Sequence, residues 1–245
     1  FGGMLTPDDR FYGIDVRPQN VQNYLAYTLK RLGTDYVDLY QPARINPHIP
    51  VEDTIGAVAD LVKAGYVRSV GITEIDAETL RRAHAVHPIS LVEVRYSLLD
   101  RDIEEGILPT ARELGIDVVT FANLFHGVIG GSNPAGKVAG LSQRMPPQAA
   151  EKLKQAVSRL ELLKEMADEK NVSVSQLAIA WVLAQGNDIL ALVGSRTVDQ
   201  LHDTVKAIHL SPEDLQRIEQ MIPKEYASNS AMLPINLDEN GLFKF

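Results

Sequence analysis

Cysteine is absent from this chain of 245 residues. Its absence excludes disulfide frameworks, thiolate metal sites and cysteine nucleophiles. Basic residues are in the minority, with 24 lysines and arginines against 32 aspartates and glutamates, which gives a formal net charge of −8. This balance argues against a protein whose main task is to bind nucleic acid or an anionic membrane. The absence of cysteine is what we expect of a cytoplasmic protein. No apolar run reaches membrane-spanning length and no signal segment is evident.

What the chain does contain is a repeated alternation of apolar strands and amphipathic helices. Five strands are predicted near residues 36–40, 67–73, 91–96, 117–121 and 189–193, and residues 1–4 are interpreted as the end of a sixth. Strands that alternate with helices form βαβ units and a parallel sheet. The fold class is therefore α/β, and the length and spacing suit a (β/α)8 TIM barrel. Because such a barrel needs eight strands, its first two to three strands are expected to be absent from this sequence.

The chain is predicted to form a single domain over residues 1–245, with the barrel in residues 1–222 and a C-terminal tail in residues 223–245. Residues 127–140 show no periodicity and predict a long loop. Residues 149–169 predict one long helix, and residues 175–183 another. Ser173 and Gln176 form a capping-box pattern at the start of the latter helix. The six histidines show no metal-ligand spacing, so no metal site is predicted.

Four collinear blocks of the sequence carry a family resemblance. They are residues 30–40 (KRLGTDYVDLY), 61–74 (LVKAGYVRSVGITE), 175–183 (SQLAIAWVL) and 193–201 (VGSRTVDQL). In this order the blocks resemble the aldo/keto reductases, and the resemblance extends from residue 1 to about residue 223. It implies a TIM barrel that binds NADP(H) at the carboxyl ends of its strands. It also implies reduction of aldehydes and ketones by hydride transfer to the carbonyl carbon.

The resemblance leaves the catalytic residues of this chain unassigned. In the family a tyrosine donates the proton, assisted by a lysine, an aspartate and a histidine. By the resemblance Phe1 directly follows that lysine, so the tyrosine, lysine and aspartate match no residue here. The histidine position aligns with Ala43, which cannot donate a hydrogen bond from its side chain. His48 lies five residues further on, where both a role in the site and an exposed loop position are open.

At the nicotinamide end of the cofactor the resemblance implies four contacts. Thr73, Glu74 and Glu93 would face the carboxamide, and Phe121 would stack on the ring. Each has a structural alternative. Thr73 and Glu74 precede a helix that they could cap, Glu93 could pair with Arg95 or another base, and Phe121 could be a core residue.

The phosphate end is matched by the turn of Gly194, Ser195 and Arg196. Glycine lets the backbone approach a phosphate, and arginine binds phosphate through two hydrogen bonds. Gln200 and Asp203 follow on the next helix and would meet the adenine end. The alternative is an ordinary strand–turn–helix with a surface arginine.

Residues 122–127 (ANLFHG) replace a Ser-Pro-Leu-Gly-x-Gly run of the family, in which Leu124 would border the pyrophosphate. Ala122 lacks the serine hydroxyl, although backbone N–H groups remain to bind there.

The predicted function is therefore that of an NADPH-dependent oxidoreductase acting on a small-molecule aldehyde or ketone, at an atypical site with Ala43 in place of histidine. A second hypothesis is an NADP(H)-binding redox-sensing or regulatory subunit with little turnover, as in the potassium-channel β subunits of the family. It is motivated by the departures at Ala43, Glu93, Ala122 and Thr204. A third is a degenerate barrel that binds neither cofactor nor carbonyl substrate and acts as a scaffold or in another, lyase-like reaction. No nucleic acid or membrane partner is expected, and a homo-oligomer is left open.

Overall fold

The structure is a computed structural model that describes residues 1–143, 145–206, 208–227 and 237–243. These residues form two compact units. The first unit contains residues 1–94, 105–118 and the described part of 234–245, and the second contains residues 95–104 and the described part of 119–233. The prediction of a single domain stays a prediction. Residues 228–236 and 244–245 of the predicted tail lie outside the described residues.

The first unit begins with an antiparallel hairpin of strands β1 (Gly3–Leu5) and β2 (Phe11–Ile14). The interpretation of residues 1–4 as the end of a sixth barrel strand is therefore wrong, because β1 pairs only with β2 in a separate two-stranded sheet. The turn explains the pairing. Thr6 N donates to Arg10 O at 2.9 Å, and Asp9 adopts a left-handed φ of 61°. Such a tight turn joins neighbouring antiparallel strands.

Five further strands belong to one sheet: β3 (Val37–Tyr40), β4 (Val67–Thr73), β5 (Ile89–Arg95), β6 (Asp117–Phe121) and β7 (Ile189–Ala191). In the first unit β4 lies between β3 and β5 and is parallel to both. β6 runs from the first unit into the second, where β7 lies beside it. The five predicted strands are confirmed, and their ends differ from the prediction by at most two residues.

Ten α-helices are described: α1 (Pro18–Leu32), α2 (Val51–Lys63), α3 (Ala77–Val86), α4 (Ile107–Leu114), α5 (Pro134–Ser142), α6 (Pro147–Ser158), α7 (Leu160–Glu169), α8 (Val174–Leu183), α9 (Val198–Thr204) and α10 (Pro212–Met221). Short 3₁₀ turns cover Asp102–Glu105, Phe125–Gly127 and Lys224–Tyr226. The capping box at Ser173 and Gln176 is confirmed. Within the described residues, no helix is long and apolar enough to cross a membrane.

Two secondary-structure predictions in the second unit are wrong, one for a loop and one for a single long helix. The loop predicted over residues 127–140 becomes helix α5 from Pro134 onward, because Asn133 caps its start by accepting a hydrogen bond from Gly136 N at 2.9 Å. Proline at the first helical position supports the same start. The single helix predicted over residues 149–169 is two helices, separated at Arg159, whose φ and ψ are −91° and −9°.

The core of the first unit contains apolar side chains from α2, α3 and β4. Ile55 and Val58 of α2, Val70 and Ile72 of β4, and Leu80 of α3 have no exposed surface. The i, i+3 spacing in α2 places its apolar residues on one face, and β4 is buried along most of its length, as parallel strands are. Each such side chain contributes about 1.5–3 kcal/mol by burial. This packing fixes the ends of the strands that carry the polar residues described below.

Arg101 is the centre of a buried ion-pair cluster in the second unit. Its guanidinium lies 2.6 Å from Glu104 and 2.7 Å from Glu219, and 5.0 Å above the ring of Trp181. The Tyr96 hydroxyl donates to Glu104 at 2.8 Å. Burial raises the pKa of Glu104, but the hydrogen bonds from Arg101 and Tyr96 together outweigh it and hold the pKa below its ordinary value. The cluster joins α8 and α10 to the segment that follows β5.

Replacement of this carboxylate gives a pH-dependent prediction. Glu104→Gln is expected to lower the free energy of unfolding at pH 7 by about 1.5–3 kcal/mol, because charged hydrogen bonds are lost. A depressed carboxyl pKa stabilises the folded state above the unfolded-state pKa, and this contribution is lost as the pH falls through the folded-state pKa. The difference between wild type and variant should therefore shrink below about pH 4.3. Urea unfolding across this pH range measures it.

Glu165→Gln, an exposed change on α7, is the control and should have little effect at any pH. A Glu104→Gln deficit that stays constant down to pH 3 would contradict the account.

Candidate functional site

A groove of about 1380 Å³ lies within the second unit. Its walls come from the loop after β6, from α5 and α7, from the start of α8, and from the turn after β7 with α9. Its volume exceeds the roughly 300–1,000 Å³ of a pocket for a drug-sized ligand. Six of the ten predicted cofactor residues line this groove: Leu124, Gly194, Ser195, Arg196, Gln200 and Asp203.

The turn after β7 is held in shape by its own hydrogen bonds. Thr197 caps α9 by accepting from Gln200 N at 3.2 Å, and the Gln200 side chain accepts from Arg196 N at 2.9 Å. No atom lies within 4 Å of the position that a Cβ would occupy at Gly194. The backbone is therefore open to a ligand at this glycine, while the residues after it are fixed.

Arg196 differs from most arginines of this chain in its partners. Its side chain is exposed, and no carboxylate among the described residues pairs with its guanidinium. By contrast, Arg81 pairs with Glu113 at 2.5 Å, and Arg217 pairs with Glu169. A free guanidinium beside an open glycine is an arrangement that binds a phosphate group.

Asp203 and Gln200 are already engaged within the protein. The Ser173 hydroxyl donates to Asp203 Oδ2 at 2.6 Å, and the Gln176 amide donates to Asp203 O at 2.9 Å. These bonds tie α9 to the start of α8. Both residues line the groove and also hold its wall in place, and their predicted role at the adenine end stays a prediction.

The loop after β6 contains a run of left-handed backbone. Ala122, Phe125, His126 and Gly127 have φ values of 55°, 44°, 55° and 74°. Non-glycine residues in this region cost about 1 kcal/mol or more each and are found where surrounding contacts hold them. Lys137 of α5 supplies one such contact, since its ammonium group donates to Gly127 O at 2.8 Å. The loop of residues 122–127, which replaces the Ser-Pro-Leu-Gly-x-Gly run of the family, is thus hydrogen-bonded to α5.

Asn123, which was not predicted from the sequence, links three segments of the sheet edge by hydrogen bonds. Its amide Nδ2 donates to Tyr96 O at 3.0 Å and to Thr120 Oγ1 at 2.9 Å. Thr120 Oγ1 in turn donates to Leu190 O at 3.2 Å. Asn123 is 2% exposed. A polar residue two positions after the end of β6 was the signal that could have revealed it.

His126 lines the groove and carries a perturbed ring. Burial, reinforced by the positive charge of Arg95, lowers the pKa of His126 below its ordinary value. The His126 ring contacts the Phe125 ring edge-on, with 5.8 Å between the ring centroids.

Phe121 is placed at the end of β6, half-buried, with its carbonyl accepting from Tyr96 N at 3.2 Å. Among the described residues it does not belong to the lining of the groove. Its predicted stacking role stays a prediction.

In the first unit three predicted residues meet at the carboxyl ends of β4 and β5. Thr73 Oγ1 donates to Glu93 O at 3.1 Å, and Glu74 N donates to the same oxygen at 2.9 Å. Helix α3 is capped by Asp76, which accepts from Thr79 N at 2.7 Å. Thr73 and Glu74 therefore do not cap α3, which was the structural alternative for these two residues.

Gln41, which directly follows β3, completes this cluster and was also missed. Its amide Nε2 donates to Glu93 Oε2. The side chain of Glu93 is therefore held by an amide and not by the base that the alternative interpretation expected. As with Asn123, the available signal was an amide residue at the carboxyl end of an apolar strand.

Backbone hydrogen bonds hold the segment around Ala43. Ala43 N donates to Phe1 O at 2.7 Å, and Arg44 Nη1 donates to Ala43 O at 2.6 Å. His48 is exposed, and its Nε2 lies 3.0 Å from Leu237 O. The contact of His48 with the C-terminal segment supports the loop interpretation of this histidine.

The strands and helices define an α/β protein, and comparison with known proteins identifies its class. The family model described as "Aldo/keto reductase family" matches residues 7–223. The chain is 36% identical over 214 residues to "Probable aldo-keto reductase 1" of Glycine max, and 33% identical over 217 residues to "Aldo-keto reductase str7" of Strobilurus tenacellus. These matches cover 86% and 85% of this chain.

Solved structures agree on the fold. A thermostable aldo-keto reductase, Tm1743, solved with the inhibitor epalrestat, is similar with a TM-score of 0.67 and 28% identity, over 84% of this chain and 67% of that one. The glycerol dehydrogenase AKR11B4 of Gluconobacter oxydans is similar with a TM-score of 0.78 and 21% identity, over 96% of this chain and 73% of that one. The predicted TIM-barrel fold class is confirmed.

The chain belongs to the aldo/keto reductase family. It spans 62% and 65% of the length of the two curated relatives that it matches.

Truncation of Asn123 tests the construction of the groove. Asn123→Ala is expected to lower the free energy of unfolding by roughly 1–3 kcal/mol, because a buried carbonyl at Tyr96 loses its donor. Asn187→Ala, an exposed change in the turn before β7, is the matched control and should stay within about 0.5 kcal/mol of wild type. Chemical unfolding compares the two. Equal stability of both variants would show that Asn123 does not hold the strand ends together.

Proposed function

We propose that this chain is part of an NADPH-dependent oxidoreductase that transfers a hydride to the carbonyl carbon of an aldehyde or ketone. The observation that carries the proposal is the groove of the second unit, in which the open Gly194 and the unpaired Arg196 lie with four other predicted cofactor residues. Membership of the aldo/keto reductase family supports the same assignment.

The residues of the groove fit a phosphorylated dinucleotide. Arg196 offers a guanidinium for the phosphate that distinguishes NADPH from NADH, and Ser195 offers a hydroxyl close by. Ser195 Oγ lies 3.5 Å from Thr204 Oγ1 at the end of α9, and this contact orients the Ser195 hydroxyl. Leu124 and the backbone of the loop after β6 would border the pyrophosphate. The loop keeps its shape without the serine hydroxyl that Ala122 lacks.

In the first unit the cluster of Thr73, Glu74 and Glu93 offers hydrogen-bonding groups of the kind that a carboxamide requires. NADPH, when bound, supplies the hydride. Phe121 is proposed to present a flat apolar face to the nicotinamide ring. No residue of this chain is assigned as the proton donor, and Ala43 supplies no side-chain hydrogen bond to polarise the carbonyl.

A second candidate function is cofactor binding with little turnover, in a redox-sensing or regulatory subunit. The specific observation that favours it is that Ala43 stands at the histidine position of the family, while His48, five residues further on, contacts Leu237 O through its Nε2 at 3.0 Å. Turnover separates the two candidates. Rapid oxidation of NADPH with any member of a broad aldehyde and ketone panel favours the reductase, and tight binding without turnover favours the regulatory subunit.

Arg196→Met tests the phosphate assignment directly. The variant is expected to bind NADPH about 10–100-fold more weakly, because charged hydrogen bonds to the phosphate are lost, while its affinity for NADH changes little. Quenching of protein fluorescence by each nucleotide measures both dissociation constants. Arg31→Met, an exposed change in the last turn of α1, is the matched control. An equal loss of affinity for both nucleotides, or none for either, would overturn the assignment.

A further inference from the structure

One wall of the groove in the second unit carries no carboxylate. This wall is formed by lining residues between Ala122 and Lys137. No aspartate or glutamate occurs in the sequence between Asp117 and Glu151, although the whole chain has 32 such residues. A wall without negative charge, in a protein of net charge −8, is a favourable place for an anionic ligand.

His126 has a defined position on this wall because both of its neighbours in the chain are anchored. Phe125 is 3% exposed, and its ring contacts the His126 ring edge-on. Gly127 O accepts a hydrogen bond from the ammonium group of Lys137 at 2.8 Å. The His126 side chain itself lines the groove and is accessible to solvent, so it can exchange a proton with water.

The charged groups closest to His126 in the fold are cations. Lys137 of α5 bonds the next residue, and no carboxylate among the described residues pairs with its ammonium group. Arg95, at the end of β5, lies 4.0 Å from Asp100, and together with burial it lowers the pKa of His126. The remaining charged residues of the lining belong to α7 and to the segment around α9: Glu161, Lys164, Asp168, Arg196, Asp199 and Asp203.

This environment makes the charge of His126 sensitive to an anion in the groove. Burial and a neighbouring cation favour the neutral ring, whereas a negative charge placed beside it favours the protonated ring. Histidine is the side chain whose charge ordinarily changes between about pH 5 and 8. Among the described residues that line the groove, His126 is the one histidine.

We propose that His126 couples the binding of a diphosphate in this groove to the uptake of a proton, so that the groove binds its dinucleotide more tightly as the pH falls. The bound diphosphate stabilises the protonated ring, and by linkage the protonated ring stabilises the bound diphosphate. The gain in affinity is therefore present at mildly acidic pH and is lost as the pH rises and His126 loses its proton. The inference rests on the proposed function, because it concerns regulation of the same groove.

The test measures the dissociation constants of ADP-ribose and NADP⁺ from pH 6 to pH 8 by isothermal titration calorimetry. ADP-ribose carries the diphosphate without the 2′-phosphate of NADP⁺, which itself titrates near about pH 6. Wild type is expected to bind ADP-ribose about three- to tenfold more tightly at pH 6 than at pH 8. Titrations in two buffers with different enthalpies of ionisation should show that binding takes up a fraction of a proton.

Two variants of His126 separate its charge from its place in the loop. His126→Gln keeps a polar side chain that does not titrate, and it should remove the pH dependence for ADP-ribose together with the proton uptake. His126→Arg keeps a fixed positive charge, and at pH 8 it should bind ADP-ribose about as tightly as wild type does at pH 6. His209→Gln, an exposed change outside the groove lining, is the matched control and should behave as wild type.

The comparison of wild type with His126→Gln is made for both ligands, and it decides the inference. If the two proteins show the same pH dependence and the same proton uptake while NADP⁺ binds, His126 is not the coupled group, and the proposed function stands. If wild type binds neither NADP⁺ nor ADP-ribose at any pH from 6 to 8, the proposed function fails and the inference fails with it.

Discussion

The hydrogen bonds of Asn123 are the interaction on which the groove depends. Its amide Nδ2 donates to Tyr96 O, which follows β5, and to Thr120 Oγ1 within β6. The Thr120 hydroxyl in turn donates to Leu190 O in β7. In a low-dielectric interior such linked bonds strengthen one another, and loss of one leaves another group unsatisfied. The loop after β6 is therefore held next to the turn after β7. The left-handed residues of that loop persist because this anchor and Lys137 hold both sides of it.

In the first unit, too, a side-chain amide links the ends of strands, here through the hydrogen bond from Gln41 to Glu93. Gln41 joins the ends of β3 and β5 as Asn123 joins those of β5, β6 and β7 within the second unit. In both places an amide side chain after the end of one strand bonds a residue in or after another strand of the sheet. Parallel strands end at one edge of their sheet, so polar residues placed after them meet there. The hydrogen bonds of the two amides thus fix the positions of polar groups at the carboxyl ends of the strands.

The sequence allowed much of this to be predicted, and the failures have physical causes. Strand positions and the cap at Ser173 followed from periodicity and local chemistry. The turn at Gly194 and the other five predicted residues that line the groove followed from the family resemblance. The hairpin of β1 and β2 was missed because its strands are short and its turn lacks an Asn-Gly or Asp-Gly signal. Gln41 and Asn123 were missed because their partners are distant in sequence, so only the folded sheet reveals them.

The central claim is that the groove of the second unit binds the phosphates of NADP(H). The most direct measurement is a crystal structure of the protein grown with NADP⁺. The account predicts the 2′-phosphate within hydrogen-bond distance of the Arg196 guanidinium and the pyrophosphate beside the loop of residues 122–127. A dinucleotide bound outside this groove, or one whose 2′-phosphate lies away from Arg196, would contradict it.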